Sequence, residues 1–261
     1  MNTPSTTSLL DRVVAHYHRT FCTHAGAQAY LTRRGLTSAD LLKAFQIGYA
    51  DGSLLKRIPR MGELRDELRA LGVITAEGRE LLRGCIVVPI PDPRTGSWTT
   101  LYGRGVRTPR HCYLPGPLRG VLNFQAARSS DTVIFTEAVL DALSFHQAGI
   151  ATAISIYGTQ GCTADHFDLL AREHVRTVVL ALDAVCVDTE PLCRAPRKFR
   201  PAARGVEIDR VDMTHAVARR LHGRAQAPEQ RRVDARAIRD RVAREHQRVA
   251  VARDRRLRPD R

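Results

Sequence analysis

The 261-residue chain lacks any apolar run long enough to span a bilayer. It also lacks an apolar stretch at its start, since Met1 to Ser8 is polar, which argues against a secretory or transit segment. Its six cysteines (Cys22, Cys85, Cys112, Cys162, Cys186 and Cys193) are widely spaced and form no CxxC pair. That argues against a disulfide scaffold and against a self-contained zinc finger, and makes a reducing, cytoplasmic setting the expectation. Large apolar side chains are scarce after Asp183. Only Leu192, Phe199, Ile208, Met213, Leu221, Ile238 and Leu257 remain of the Ile, Leu, Met, Phe, Trp and Tyr types. A stretch with so little to bury cannot offset its chain entropy, so residues 184–261 are expected to be disordered or loosely helical.

Charge is abundant and uneven. The net charge is +14, of which residues 184–261 hold +10, from 21 Lys and Arg against 11 Asp and Glu. An excess of this sign favours polyanions such as nucleic acid. Because most of it sits in the tail, it says little about the folded part.

The most patterned stretch runs from Asp131 to Asp183. The apolar run Thr132 to Thr136 reads as a strand and is followed at once by Glu137. Asp141 then opens a helical pattern through Val139, Leu140 and Leu143. The strand Ala153 to Ile156 leads into Tyr157-Gly158-Thr159. After a helix through Leu169 and Leu170, Val178 to Leu182 runs into Asp183. Short β-rich runs alternating with helical patterns imply βαβ units and a parallel sheet, whose ligands sit outside the carboxyl ends of the strands. Glu137 and Asp183 both fall on that edge. Paired carboxylates there suit Mg²⁺ or Mn²⁺, hard cations that take oxygen ligands. The plainer alternatives are that Asp141 is a first-turn acid favoured by the helix dipole and Asp183 a strand-end cap.

Upstream, the pattern predicts a helix from Ser8 to Thr20, capped by Ser8 or Asp11. His16, His18, Cys22 and His24 crowd its end, at a spacing that fits polar surface residues better than a metal site. Further helices are expected over Ala27 to Leu31, from Asp40 through Phe45, and over Met61 to Leu71. The first two, with a tight turn, suit local packing better than DNA reading, since no basic recognition helix follows. Cys85 to Ile90 and Ser97 to Tyr102 read as a hairpin around a Pro-Asp-Pro turn. Residues 103–117, rich in Gly and Pro, read as an irregular loop carrying Arg104, Arg107, Arg110, His111 and Tyr113. Guanidinium groups bind phosphates and a ring offers a stacking face, although such a loop taken alone is more often plain surface. Ala127 to Ser130 reads as a linker.

Several motifs occur in a recognisable order: Tyr30-Leu31…Arg34-Gly35-Leu36, Phe45-Gln46-Ile47-Gly48-Tyr49-Ala50, Val88-Pro89-Ile90-Pro91-Asp92, Tyr102-Gly103-Arg104 and Tyr113-Leu114-Pro115-Gly116-Pro117. Glu137-Ala138-Val139-Leu140-Asp141, the run from Gly158-Thr159 to Asp165-His166, and Leu180-Ala181-Leu182-Asp183 complete the set. Together they resemble the catalytic core of bacterial DnaG-type DNA primases and their mobile-element relatives, with a TOPRIM module in the second half. The resemblance implies an α/β fold: an α+β subdomain over residues 1–128, a partial TOPRIM parallel sheet over 129–183, and the basic tail over 184–261. It implies Glu137, Asp141 and Asp183 as catalytic acids, with Glu137 and Asp183 on the metal. Arg104, Arg107, Arg110, His111 and Tyr113 would contact template or nucleotide, and Gly158 and Thr159 would form a turn beside the acids. The implied activity is synthesis of short RNA primers. The implied partners are single-stranded DNA, ribonucleoside triphosphates and a replicative helicase, and no membrane. A catalytically inactive, nucleic-acid-binding remnant is the alternative, and a TOPRIM nuclease a third.

The pattern also breaks. The family's Asp-x-Asp stands here as Asp183-Ala184-Val185. No zinc-binding module precedes the core and no helicase-binding domain follows it, so a truncated core is expected. The switch in composition in mid-motif has the texture of a reading-frame change in a GC-rich gene, with a genuine basic arm as the alternative.

Overall fold

The computed structural model describes residues 8–158, 161–181 and 207–210, the last four by backbone alone. The chain opens with α1 (Leu9–Thr23), whose N-terminus is closed on both sides. The Asp11 amide donates to Ser8 Oγ and the Ser8 amide donates to Asp11 Oδ2. This reciprocal box satisfies two amides that the first helical turn otherwise leaves open. Next come α2 (Ala25–Arg33), α3 (Ala39–Ala44), β1 (Gly48–Tyr49), a single 3-10 turn at Leu54–Lys56, and α4 (Glu63–Ala70). An antiparallel sheet follows in the order β1-β2-β3-β4, with β2 at Cys85–Pro91, β3 at Trp98–Gly105 and β4 at His111–Tyr113.

Strand β2 is buried at every position, and alternation explains why. Val87 and Cys85 join Leu101 in a core with Leu10, Val13, Val14 and Tyr17 of α1. Ile86, Val88 and Ile90 face the other way, into a core shared with Tyr102 and the second half of the chain. A strand covered on both faces needs a continuous apolar run, and Cys85 to Ile90 supplies one.

The second sheet is parallel, in the order β6-β5-β7-β8. Its elements are α5 (Gln125–Ser129), β5 (Thr132–Thr136), α6 (Val139–Gln147), β6 (Ala153–Ser155), α7 (Ala164–Arg172), β7 (Thr177–Ala181) and β8 (Glu207–Arg210). Ile134 and Val179 point toward α6 and the first sheet. Val133, Phe135, Val178 and Leu180 point toward α5 and α7. Helices thus cover both faces.

Polar ties lock the two sheets together. The Gln147 side-chain carbonyl accepts from the Thr37 and Ser38 amides at 3.0 Å each. The Gly120 amide donates to Asp165 at 2.7 Å, and the Tyr157 hydroxyl donates to the Arg119 and Gly120 carbonyls. Gly120 has φ +85°, and a Cβ there would lie 2.6 Å from the Pro91 carbonyl oxygen, so only glycine fits this junction.

Four expectations from sequence are corrected. Gly103 to Gly105, read as loop, continue β3, because their partners in β2 extend to Cys85. His111 to Tyr113, read as loop, form β4, a third strand paired with Tyr102 to Arg104. Most of the linker at Ala127 to Ser130 belongs to α5. Strand β8 lies within the stretch expected to be an unstructured basic tail. At residues 207–210 that expectation fails, because β7 offers a ladder edge and Thr177 to Leu180 pair with Glu207 to Arg210. The rest of the tail, and with it the reading-frame change, lies outside the described residues.

Candidate active site

The site follows from the wiring of the parallel sheet. Strand β5 is central, and its connection through α6 leads outward to β6. Strand β7 lies on the other side of β5 and continues outward to β8. The connections therefore part in opposite directions between β5 and β7, which opens a crevice at their carboxyl ends. In open α/β sheets ligands bind at such a switch point. The registers bring three strand ends level, with Thr136 opposite Ala181 on one side and Ser155 on the other.

Glu137 is the first residue past β5 at that crevice and is half-buried. Its carbonyl accepts from the Gly158 amide at 3.1 Å, so the glycine turn after β6 is pinned against it. Gly158 has φ +88°, a left-handed conformation that glycine adopts without strain. The turn closes through the Gly161 amide, which donates to the Gly158 carbonyl at 2.9 Å. Asp141 lies in the first turn of α6, is buried, and accepts from the Ala138 amide at 3.2 Å. Its charge also reaches Tyr102, where burial first and then Asp141 push the phenol up to about 12 against the pull of Arg104. Asp183 lies outside the described residues, as does Thr159; the described chain reaches Ala181, two residues short of that acid.

Across the crevice from the acids stands the antiparallel sheet. Residues directly opposite in an antiparallel ladder share a face, so Tyr102 with Tyr113, and Arg104 with His111, project together toward the parallel module. Burial opposes the Arg104 charge, but hydrogen bonding to Tyr30 and Tyr102 outweighs it, and its pKa is raised. Arg104 Nε is buried and has no hydrogen-bond partner among the described residues. A chain of rings continues from this face to the glycine turn. Tyr102 and Tyr113 have centroids 5.2 Å apart, Tyr113 and Tyr157 4.9 Å, and Tyr157 and His166 5.8 Å.

The basic strip expected from sequence is thus divided. Arg104, His111 and Tyr113 share the face turned toward the acids. Arg107 and Arg110 instead line a separate cavity of about 310 Å³ with Tyr49, Asp51, Arg83 and Cys85. One guanidinium nitrogen of Arg110 already donates to the Leu81 carbonyl at 2.6 Å. The histidines of the first helices have structural partners. His16 meets Ser53 at 3.1 Å, His18 meets the Ile47 carbonyl at 2.8 Å, and His24 accepts from the Ala27 amide as a helix cap.

Sequence reasoning passed over Tyr30, Tyr157 and His166. The signal for Tyr157 was its place immediately before Gly158, since a ring ahead of a turn at a strand end must lie over the crevice. His166 sits at the third position of α7, fully buried, with Nδ1 near the Thr163 hydroxyl and Nε2 at 3.2 Å from the Ser155 carbonyl. Burial drives its pKa down to about 4, so it is a neutral clamp between α7 and the end of β6.

Residues 134–184 match the family model described as Toprim-like. The DNA primase of Deinococcus radiodurans is 32% identical over 173 residues, covering 59% of this chain and 30% of that relative. The solved DnaG primase catalytic domain bound to ssDNA superposes with a TM-score of 0.59 at 26% identity, covering 79% of this chain and 71% of that one. This is the fold of the DnaG-type primase core, with a Toprim-like module in its second half. The RNA polymerase domain of Mycobacterium tuberculosis DnaG has the same fold, with a TM-score of 0.68 at 18% identity over 90% of this chain and 82% of that one. The chain spans about a third of the length of the curated primases it matches. No helix among the described residues is long and apolar enough to cross a membrane.

The donors at the crevice fit a divalent cation by type. Glu137 and Asp141 offer carboxylate oxygens at the edge where Asp183 follows β7 in sequence, and hard cations such as Mg²⁺ take oxygen ligands. Among the described residues no three Asp, Glu, His or Cys side chains are gathered as ligands, and Asp183 lies outside them.

Proposed function

We propose that this chain is a primase-like nucleotidyltransferase core that joins ribonucleotides on a single-stranded DNA template. The observation that carries the reading is the opposition of two surfaces across one crevice. Glu137 stands at the switch point of the parallel sheet, and the face of the antiparallel sheet that carries Tyr102 and Arg104 packs against that module, with Arg104 Nε unpaired among the described residues. Phosphoryl transfer needs this pairing, because the reacting group is polyanionic and the chemistry is mostly positioning and charge stabilisation.

Glu137 and Asp183 would hold Mg²⁺ or Mn²⁺. That ion would supply charge stabilisation for the attacking and leaving oxygens of the transferred phosphoryl group. Arg104 would donate to a nucleotide or template phosphate, and its raised pKa keeps it charged throughout. His111 and Tyr113 would extend the same face, with Arg107 and Arg110 contacting the strand farther out. Asp141 would hold the α6 terminus and, through Tyr102, the Arg104 guanidinium.

A second reading has one specific observation behind it. Val185 occupies the second acid position of Asp-x-Asp, which leaves one carboxylate fewer at the edge and favours a nucleic-acid-binding protein without catalysis. Incorporation of labelled ribonucleotides by the full chain on single-stranded DNA, with Mg²⁺ or Mn²⁺, separates the two. Template- and metal-dependent product supports nucleotidyl transfer, and binding without product supports the second reading. Arg104→Ala is expected to weaken single-stranded DNA or nucleotide binding about tenfold, the size of one charge-assisted contact, in a protein that stays folded but melts somewhat lower for want of the bonds to Tyr30 and Tyr102. An unchanged affinity would remove Arg104 from the site.

A further inference from the structure

The ring of Tyr157 stands between the two sheets and is anchored to both. On the parallel side it lies just past β6, where the Ile156 amide donates to the Thr136 carbonyl at 2.9 Å. One residue beyond Tyr157, the Gly158 amide donates to the Glu137 carbonyl. Gly161 packs so closely on the Tyr157 backbone that a Cβ there would lie 2.2 Å from the Tyr157 carbonyl carbon. On the antiparallel side, the Tyr157 hydroxyl reaches the Arg119 carbonyl and, at 3.1 Å, the Gly120 carbonyl. The segment that carries both carbonyls is fastened to the first sheet. The Thr99 hydroxyl of β3 donates to the Arg119 carbonyl at 3.1 Å, and the Val121 amide donates to the Pro91 carbonyl at the end of β2 at 2.9 Å. The ring also meets Tyr113 of β4 edge to face, at an interplanar angle of 64°, a favoured arrangement for aromatic pairs. Tyr113 shares its face of the sheet with Arg104. Burial raises the Tyr157 pKa, so the hydroxyl stays protonated and able to donate.

We infer that Tyr157 is a positioning residue: through its hydroxyl and the adjoining Gly158 amide, the antiparallel sheet sets where Glu137 stands in the crevice. The path runs from Thr99 to the Arg119 and Gly120 carbonyls, across the hydroxyl to Tyr157, and along one peptide to Gly158 and the Glu137 carbonyl. Tyr157 acts through Glu137 and not on substrate. A side chain built only to fill space would need the ring alone. Here the ring has its own contacts, with Tyr113 at 4.9 Å and His166 at 5.8 Å, and the hydroxyl adds a separate tie to the other sheet. Tyr157→Phe keeps the first and removes the second, so it isolates the tie. The catalytic consequence rests on the proposed function; the tie itself does not.

The test therefore has two arms, both on the full chain. In the first, amide hydrogen exchange is followed by nuclear magnetic resonance in the wild type and in Tyr157→Phe. The expected result is about tenfold faster exchange at the Gly158 amide, the size of one lost hydrogen bond, with the amides of β3 unchanged. A loss of global stability would instead speed all protected amides together. Unchanged exchange at Gly158, or a rise shared equally by β3, would overturn the inference. In the second arm, ribonucleotide incorporation on single-stranded DNA is measured at steady state. Tyr157→Phe is expected to lower kcat about tenfold with KM for the ribonucleotide within about twofold, because a displaced Glu137 costs alignment and not ground-state binding. An unchanged kcat, or a raised KM at unchanged kcat, would overturn the positioning of Glu137. If the wild type gives no product the proposed function fails, while exchange at Gly158 still decides whether the hydroxyl holds that residue.

Discussion

Glu137→Gln is expected to abolish ribonucleotide incorporation, with a loss of about a thousandfold or more, while the protein stays folded. The size follows from the role: a charge acting on the transferred phosphoryl group through a held cation is worth several kcal/mol of barrier, and about 4 kcal/mol is a thousandfold. One structural bond at this residue is made by its backbone. The Gly158 amide donates to the Glu137 carbonyl, which glutamine keeps. The side chain is half-buried, so losing its charge should shift stability by about 1 kcal/mol or less. Circular dichroism and a melting curve check the fold, and the incorporation assay reads the chemistry. A variant that unfolds, or one that incorporates at the wild-type rate, would remove Glu137 from the proposed role.

The second large effect is on stability against pH, through His166. In the folded protein burial holds its pKa down to about 4, whereas the unfolded chain has the ordinary value near 6.5. A depressed histidine pKa means that the unfolded state takes up the proton first as pH falls. The stability it confers is therefore complete above about pH 6.5 and is lost progressively down to about pH 4. For this fully buried ring the loss is on the order of 3 kcal/mol, a large share of the stability of an ordinary domain. His16 and His146, both lowered chiefly by burial, act in the same direction. Denaturant melts at pH 7, 6 and 5 should show the midpoint falling for the wild type and a flatter course for His166→Gln. Equal slopes in the two proteins would show that the ring is not the source.

The first three strands of the parallel sheet, β5, β6 and β7, were the most legible part of the sequence, because each is a short apolar run that ends near a turn or an acid. Glu137 and Gly158 could be placed at the strand ends by counting alone. The antiparallel sheet was half legible. Cys85 to Ile90 announced itself as a strand covered on both faces, yet His111 to Tyr113 hid among prolines and glycines and became a strand only because β3 offers it a ladder. That pairing, invisible to local pattern, decides which basic residues look at the acids. Arg104 and His111 do, being opposite one another, whereas Arg107 and Arg110 serve the cavity behind. Strand β8 was missed for a related reason. Its flanks are rich in Arg and Ala, and its place depends on the edge of β7 rather than on apolar content. The ring series from Tyr102 to His166 draws on four elements far apart in sequence, so no window of the chain could have announced it.

The central claim is that the edge carrying Glu137, with Asp183 beyond the end of β7, holds a divalent cation. Mn²⁺ binding to the full chain, followed by electron paramagnetic resonance, tests it without requiring turnover. The expected result is one bound Mn²⁺ in the wild type, displaced by excess Mg²⁺ and lost in both Glu137→Gln and Asp183→Asn while each variant keeps its melting transition. Undiminished Mn²⁺ binding in those folded variants, or none in the wild type, would contradict it.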